Sequence, residues 1–273
     1  KQTREDLMNN DIQSNQKMVR SLILDMDGVL WRDATPIGNL PKIFQTIHGK
    51  GLRFIMVTNN AGWSIQQYVE KLAGLGVDVK PWQVLSSAVA TARYLQNLFP
   101  DGGEIFVIGE QSLIDLFEVQ GFHQGSNNPL AVVAALDRGI NYDKLKEATL
   151  LLRRGTPFIG TNPDKSYPIP EGEAPGAGAI LAALEAASGV EPTIIGKPKQ
   201  QIFTLALERL GTAAEETLVV GDRLETDILG AQTVGCLSAL VLSGVSTAQE
   251  VEEWKPPPDF VTENLSYLLD LLP

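Results

Sequence analysis

From position 21 onward, short runs of consecutive apolar residues alternate with stretches whose apolar residues recur every three or four positions. The runs lie at 21–26, 52–58, 84–86, 105–108, 131–135, 157–160, 193–195, 218–220, 239–242 and 260–261. A run without polar interruption predicts a strand covered on both faces, as in a parallel sheet, rather than a half-exposed one. Between them, 64–75 and 88–98 carry helical spacing, the first ending on the stop signals Gly74 and Gly76. Strand and helix in regular alternation predict an α/β protein with parallel sheets covered by helices. Such sheets place ligands beyond the C-terminal ends of their strands, and the unusual polar residues of this chain fall there.

Composition narrows the chemistry. The 273 residues contain 22 Lys+Arg and 33 Asp+Glu, a net charge of -11. That balance excludes a non-specific grip on a nucleic-acid polymer, which depends on cations neutralising phosphates. The charge is uneven: residues 1–17 sum to 0, 18–84 to +2, 85–189 to -5 and 190–273 to -8. One cysteine, Cys236, and two histidines, His48 and His123, leave no thiolate or histidine-rich metal site, so a metal here is held by carboxylates. No stretch reaches membrane-span length, and a soluble, reducing, cytoplasmic setting is the default expectation. Residues 1–17 read as a polar arm.

Four strand ends deliver polar groups. Asp25-Met26-Asp27-Gly28 closes the first run and puts two carboxylates on one side of an extended chain. Anions that close repel unless a cation lies between them or one is protonated, although aspartates also serve as ordinary turn formers. Thr58-Asn59-Asn60 offers hydroxyl, amide and backbone donors suited either to an oxyanion or to capping a helix. Gly196-Lys197-Pro198 ends a run with a lysine that is costly to bury, unless it snorkels to the surface. It is no Walker A loop, since Glu191 and Pro198 stand where that motif needs Gly and Ser/Thr. Gly221-Asp222 follows the run at 218–220, and Asp227 opens the next helix.

Asp-x-Asp, Thr-Asn-Asn, Lys and Asp-x4-Asp in this order resemble the haloacid dehalogenase superfamily of phosphotransferases. Residues 25–31, 58–60, 161–178 and 221–227 are most similar to its 4-nitrophenyl phosphatase, phosphoglycolate phosphatase and pyridoxal phosphatase group. The resemblance implies a Rossmann-like, doubly wound catalytic core over 18–84 and 190–273, with an inserted class II α/β cap over 85–189. It implies Asp25 as nucleophile and Asp27 as general acid/base. Thr58, Asn59, Asn60 and Lys197 would bind phosphate. Mg²⁺ would be held by Asp25, Asp222 and the backbone carbonyl of Asp27, with Asp227 in the outer shell. Asp at position 27 favours ester hydrolysis over dehalogenation or ATP-driven pumping.

The cap loop, 160–168 continuing through 175–178, would read the leaving group. Asn162 and Asp164 match the family pattern and order the loop, while Lys165, Ser166 and Tyr167 are candidates for touching substrate. Trp31 lines the entrance or, more simply, is a core or rim aromatic. The implied partner is a small phosphorylated metabolite, with no nucleic acid and no membrane, and the resemblance suggests a homodimer formed through the cap. Phosphoglycolate, 4-nitrophenyl phosphate, nucleoside monophosphates, sugar phosphates and pyridoxal phosphate all stay open as substrates. A non-catalytic phosphometabolite-binding regulator on the same fold is the alternative from another class.

Overall fold

The structure, a computed structural model, describes residues 19–169 and 171–273. The polar arm expected over 1–17 lies outside them. The described chain divides into two compact α/β units. The first comprises the chain through Val57, Val69–Val84 and Phe203–Pro273, and the second Thr58–Tyr68 and Leu85–Ile202.

In the first unit, strands β1 (Ser21–Leu24), β4 (Arg53–Thr58), β5 (Val84–Ser86), β13 (Thr217–Gly221), β14 (Leu237–Val241) and β15 (Phe260–Thr262) form one sheet. Its order is β15-β14-β13-β1-β4-β5. The pairs β1–β13, β1–β4, β13–β14 and β14–β15 are parallel. Every residue of β1 and β13 is buried, as uninterrupted apolar runs predict for strands covered on both faces. The chain order reverses at β1, which has later strands on both sides. The seam between β1 and β13 is therefore the switch point of a doubly wound sheet, where such folds open a crevice. Leu24 is in register with Met56 on one side and Val220 on the other, so Asp25 and Asp222 leave the sheet at neighbouring strand ends.

The second unit has its own sheet of β6 (Gly103–Ile108), β7 (Phe122–Gln124), β8 (Val132–Ala134), β9 (Phe158–Gly160) and β12 (Thr193–Ile194), all parallel, in the order β12-β9-β8-β6-β7. Helices Tyr142–Arg153 and Ala177–Ser188 pack Ala148, Leu151, Leu152, Ile180, Leu181 and Leu184 against Phe106, Ile108, Val132, Ala134 and Phe158 of that sheet. Each such side chain removed from water contributes on the order of 1.5–3 kcal/mol. Thr193 pairs with Ile159, and the unit runs to Ile202.

All ten strands expected from the apolar runs form. Two hairpins do not announce themselves in the pattern. Trp31–Arg32 (β2) pairs with Thr35–Pro36 (β3), and Ser166–Ile169 (β10) pairs with Gly172–Pro175 (β11), where the sequence reads as loop. Gly172, with φ 138°, supplies a backbone angle open chiefly to glycine at the second turn. Among the described residues no helix is long and apolar enough to cross a membrane.

Candidate active site

At the end of β1 the chain closes one tight turn. The Leu30 and Trp31 amides both donate to the Met26 carbonyl, at 2.8 and 3.3 Å, while Met26 itself is buried. Gly28 donates to the Trp31 carbonyl at 2.7 Å and has φ 84°. A side chain there would meet a second obstacle, because a Cβ would overlap the Asp222 carboxylate. The Asp25 amide donates to the Val220 carbonyl at 2.8 Å, fixing the two strand ends to one another.

The carboxylate of Asp222 is held from the far side by the loop after β14. Val245 donates its amide to Oδ2 at 2.8 Å, and a Cβ on Gly244 would overlap the same oxygen. Ser243 of that loop donates its hydroxyl to the Gly28 carbonyl at 2.6 Å. Asp227 sits in a short π-helical turn, Leu224–Ile228, a geometry that recurs at functional sites. Its Oδ2 accepts from the Arg223 amide at 3.2 Å, and Gly221 leaves room for it.

Asp222 and Asp227 are 2% and 1% exposed, Asp25 is half-buried, and one oxygen from each of the three lies within 4.8 Å of the other two. At an effective dielectric of ~20, like charges at that separation repel by on the order of 3 kcal/mol per pair. Three hard oxygen donors around one point fit a hard divalent cation such as Mg²⁺ or Ca²⁺, and among the described residues no soft or imidazole ligand joins them.

Asp27 points its chemistry elsewhere. Its carboxylate is exposed, and Oδ1 accepts the indole N–H of Trp31 at 2.8 Å. Trp31 is 1% exposed, so the core reading of this residue holds. Lys71 lies with Nζ 3.9 Å from the Trp31 ring centroid and donates to the Asp33 carbonyl at 3.2 Å. Burial lowers the pKa of Lys71, against the opposing charges of Asp27 and Asp33.

The second unit gathers another group of the expected residues. Asn59 and Lys197 are buried. Asn59 Nδ2 donates to Asp164 Oδ1 and to the Lys197 carbonyl, both at 3.1 Å, and its Oδ1 accepts the Lys197 amide at 2.8 Å. Its own carbonyl accepts from Ser87 Oγ at 2.6 Å and Asn162 Nδ2 at 2.8 Å. The Asn59 side chain thus engages its amide group wholly within the protein. Thr58 Oγ1 accepts the Asn60 amide at 3.1 Å, and Asn60 Oδ1 caps Gly62 at 2.8 Å. Gly196 admits this packing, since a Cβ would sit 2.6 Å from Asn59 Oδ1.

On the hairpin, Lys165 is exposed and Ser166 and Tyr167 are half-buried. The Tyr167 hydroxyl accepts from Arg138 Nε at 3.3 Å, and Arg138 pairs with Glu110 at 3.2 Å. Ser243 carries a signal in the sequence, because it follows β14 as Asp222 follows β13. Within the second unit Arg138, Glu110 and Ser87 reach Tyr167 and Asn59 only by folding, as Val245 reaches Asp222 within the first.

Comparison with known proteins fits this geometry. A family model described as haloacid dehalogenase-like hydrolase matches residues 22–123, and a second, HAD-hydrolase-like model matches 194–268. An acid sugar phosphatase of Staphylococcus aureus is 35% identical over 251 residues, covering 92% of this chain and 96% of that protein. The crystal structure of 4-nitrophenylphosphatase from Thermotoga maritima aligns with a TM-score of 0.89 at 36% identity, over 94% of this chain and 98% of that one. Glycerol phosphate phosphatase from Mycobacterium tuberculosis, solved in complex with magnesium, aligns at 0.86 and 30% identity, over 94% and 79%. The chain belongs to the haloacid dehalogenase-like hydrolases and is an enzyme of their phosphatase class.

Proposed function

We propose that the protein is an Mg²⁺-dependent phosphomonoesterase acting on a small phosphorylated metabolite through an aspartyl-phosphate. The observation that carries this reading is the convergence of Asp25, Asp222 and Asp227 beside the switch point of a sheet of this family. Asp25, Asp222 and the backbone carbonyl of Asp27 would hold the cation, with Asp227 orienting them from outside. When bound, it neutralises the crowded carboxylates and the phosphoryl oxygens.

A carboxylate oxygen of Asp25 attacks phosphorus, and the bond from phosphorus to the ester oxygen breaks. The leaving oxygen takes a proton from the Asp27 carboxyl. In the second step water gives a proton back to Asp27 and attacks phosphorus, releasing inorganic phosphate and restoring the Asp25 carboxylate. Lys197, Thr58 and Asn60 serve the phosphoryl oxygens. Asn59 serves chiefly by fixing the Lys197 backbone, in keeping with its internal hydrogen bonds. Phosphoryl transfer leaves the protein mainly positioning and charge stabilisation to supply.

Residues 85–189 act as a cap that excludes water, with Asn162 and Asp164 ordering its loop and Lys165, Ser166 and Tyr167 meeting the leaving group. Aryl phosphates, phosphoglycolate and sugar or polyol phosphates are the favoured substrates, nucleotides and pyridoxal phosphate the alternatives. The activities of the relatives support the small-monoester class. A homodimer formed through the cap and a cytoplasmic setting complete the reading. Phosphate release over a panel of monoesters, with Mg²⁺ and with chelator, is the test. Release unaffected by chelation, or surviving in Asp25→Asn, would overturn it.

A further inference from the structure

Asp27 ends in an exposed carboxylate on two rotatable bonds, yet the transfer assigned to it requires one fixed direction. What fixes it is visible in the turn. Trp31 is 1% exposed and is tied to the turn by the Gly28 amide on its carbonyl at 2.7 Å, so its indole is a rigid plate. The indole N–H reaches Asp27 Oδ1 at 2.8 Å. The Lys71 ammonium lies 3.9 Å from the ring centroid, within cation–π range. A cation over the face draws electron density from the ring and makes the N–H a stronger donor.

We infer that Trp31 is a positioning residue for proton transfer, which holds Asp27 by Oδ1 and leaves Oδ2 as the oxygen that carries the transferable proton, with Lys71 reinforcing the bond through the ring. The chemistry of the donor requires this division of labour. An indole N–H can only donate, so the oxygen facing it must accept, and the proton of the neutral carboxyl resides on the other. The inference rests on the proposed role of Asp27 and adds to it the residue that orients it.

General-acid help matters most for leaving groups that part poorly as anions, so the signature is selectivity between leaving groups. kcat/KM, which reports the steps through cleavage of the ester bond, is to be measured for 4-nitrophenyl phosphate and for an alkyl ester such as glycerol 1-phosphate. Trp31→Phe keeps a ring beneath Lys71 but removes the N–H. It is expected to lower kcat/KM about tenfold for the alkyl ester and less than about twofold for the aryl ester. Asp27→Asn should show the same selectivity, more deeply. Lys71→Met, which keeps the indole, should show it more weakly, and it carries the test if Trp31→Phe fails to fold by circular dichroism. Equal losses on both esters in the Trp31 and Lys71 variants, with selectivity retained in Asp27→Asn, would overturn the inference and leave the role of Asp27 standing. Absence of selectivity in Asp27→Asn would overturn both.

Discussion

The side-chain amide of Asn59 grips the backbone of Lys197 at two points, accepting its N–H at 2.8 Å and donating to its carbonyl at 3.1 Å. The two residues are 138 positions apart and both buried. This is the pattern one strand offers its neighbour, supplied here by a side chain. A backbone held in this way cannot drift, and the lysine it carries starts from a fixed origin.

Asn59→Ala removes the grip and leaves buried polar groups unsatisfied, so it is expected to cost about 1–3 kcal/mol of stability. Asn59→Asp keeps the acceptor for the Lys197 amide but sets a carboxylate against Asp164 and the Lys197 carbonyl, and should be no milder. Thermal denaturation reads the stability. Phosphatase assays should show a fall in kcat/KM for both variants, and full activity in either would show that the grip is dispensable.

The three-carboxylate cluster makes metal dependence measurable without turnover. A ligand at a hundred times its Kd that binds only the folded state stabilises it by about 2.7 kcal/mol. Mg²⁺ is therefore expected to raise the Tm of chelator-treated protein, and Asp222→Ala to abolish the rise. A Tm indifferent to Mg²⁺ in the unaltered chain would remove the cation from the site.

Gly244 and Gly49 form a matched pair of alanine substitutions. At Gly244 a Cβ overlaps Asp222 Oδ2, whereas at Gly49, inside helix Leu40–Gly49, nothing lies within 4 Å. Gly244→Ala should lose about 1–3 kcal/mol to overpacking and, by displacing Asp222, lose the Mg²⁺ response as well. Gly49→Ala should gain about 0.4–1 kcal/mol by narrowing the unfolded ensemble, with activity unchanged. Urea titrations of the two variants separate these outcomes.

Cys236 offers a pH prediction. Burial, with a lesser push from Glu215, raises its thiol pKa to about 12. The fold thus favours the neutral thiol, and its contribution is complete below the unfolded thiol pKa of about 8.5 and fades as pH rises toward the folded value. Native protein at pH 8 should resist a thiol-directed reagent that reacts at once in denaturant. Rapid native labelling would contradict the burial.

Strands were legible wherever burial on both faces writes an uninterrupted apolar run, as in β1 and β13. The hairpins at 31–36 and 166–175 were not, because they are short and contain proline, and β3 is fully exposed. Candidate site residues were visible because motif order is a property of the chain. Their duties were less so. Asn59 reads as a donor for an oxyanion, and only the fold shows its amide engaged with Asp164 and Lys197. Trp31 reads as a core or rim aromatic, and its bond to Asp27 depends on a turn closing around Met26 and Gly28. The pairing of Thr193 with Ile159 depends on a partner strand earlier in the chain, which no local pattern announces.

The seam between β1 and β13 also sets a schedule. Asp25 precedes by a long stretch of chain its neighbours Asp222 and Asp227, which follow a strand that begins at Thr217. Closing so long a loop before the pair can form is entropically demanding, and pairings of that span are slow. A chain growing on the ribosome therefore carries Asp25 long before Asp222 and Asp227 can complete the carboxylate cluster. A chain that ends before Thr217 lacks two of the three carboxylates altogether.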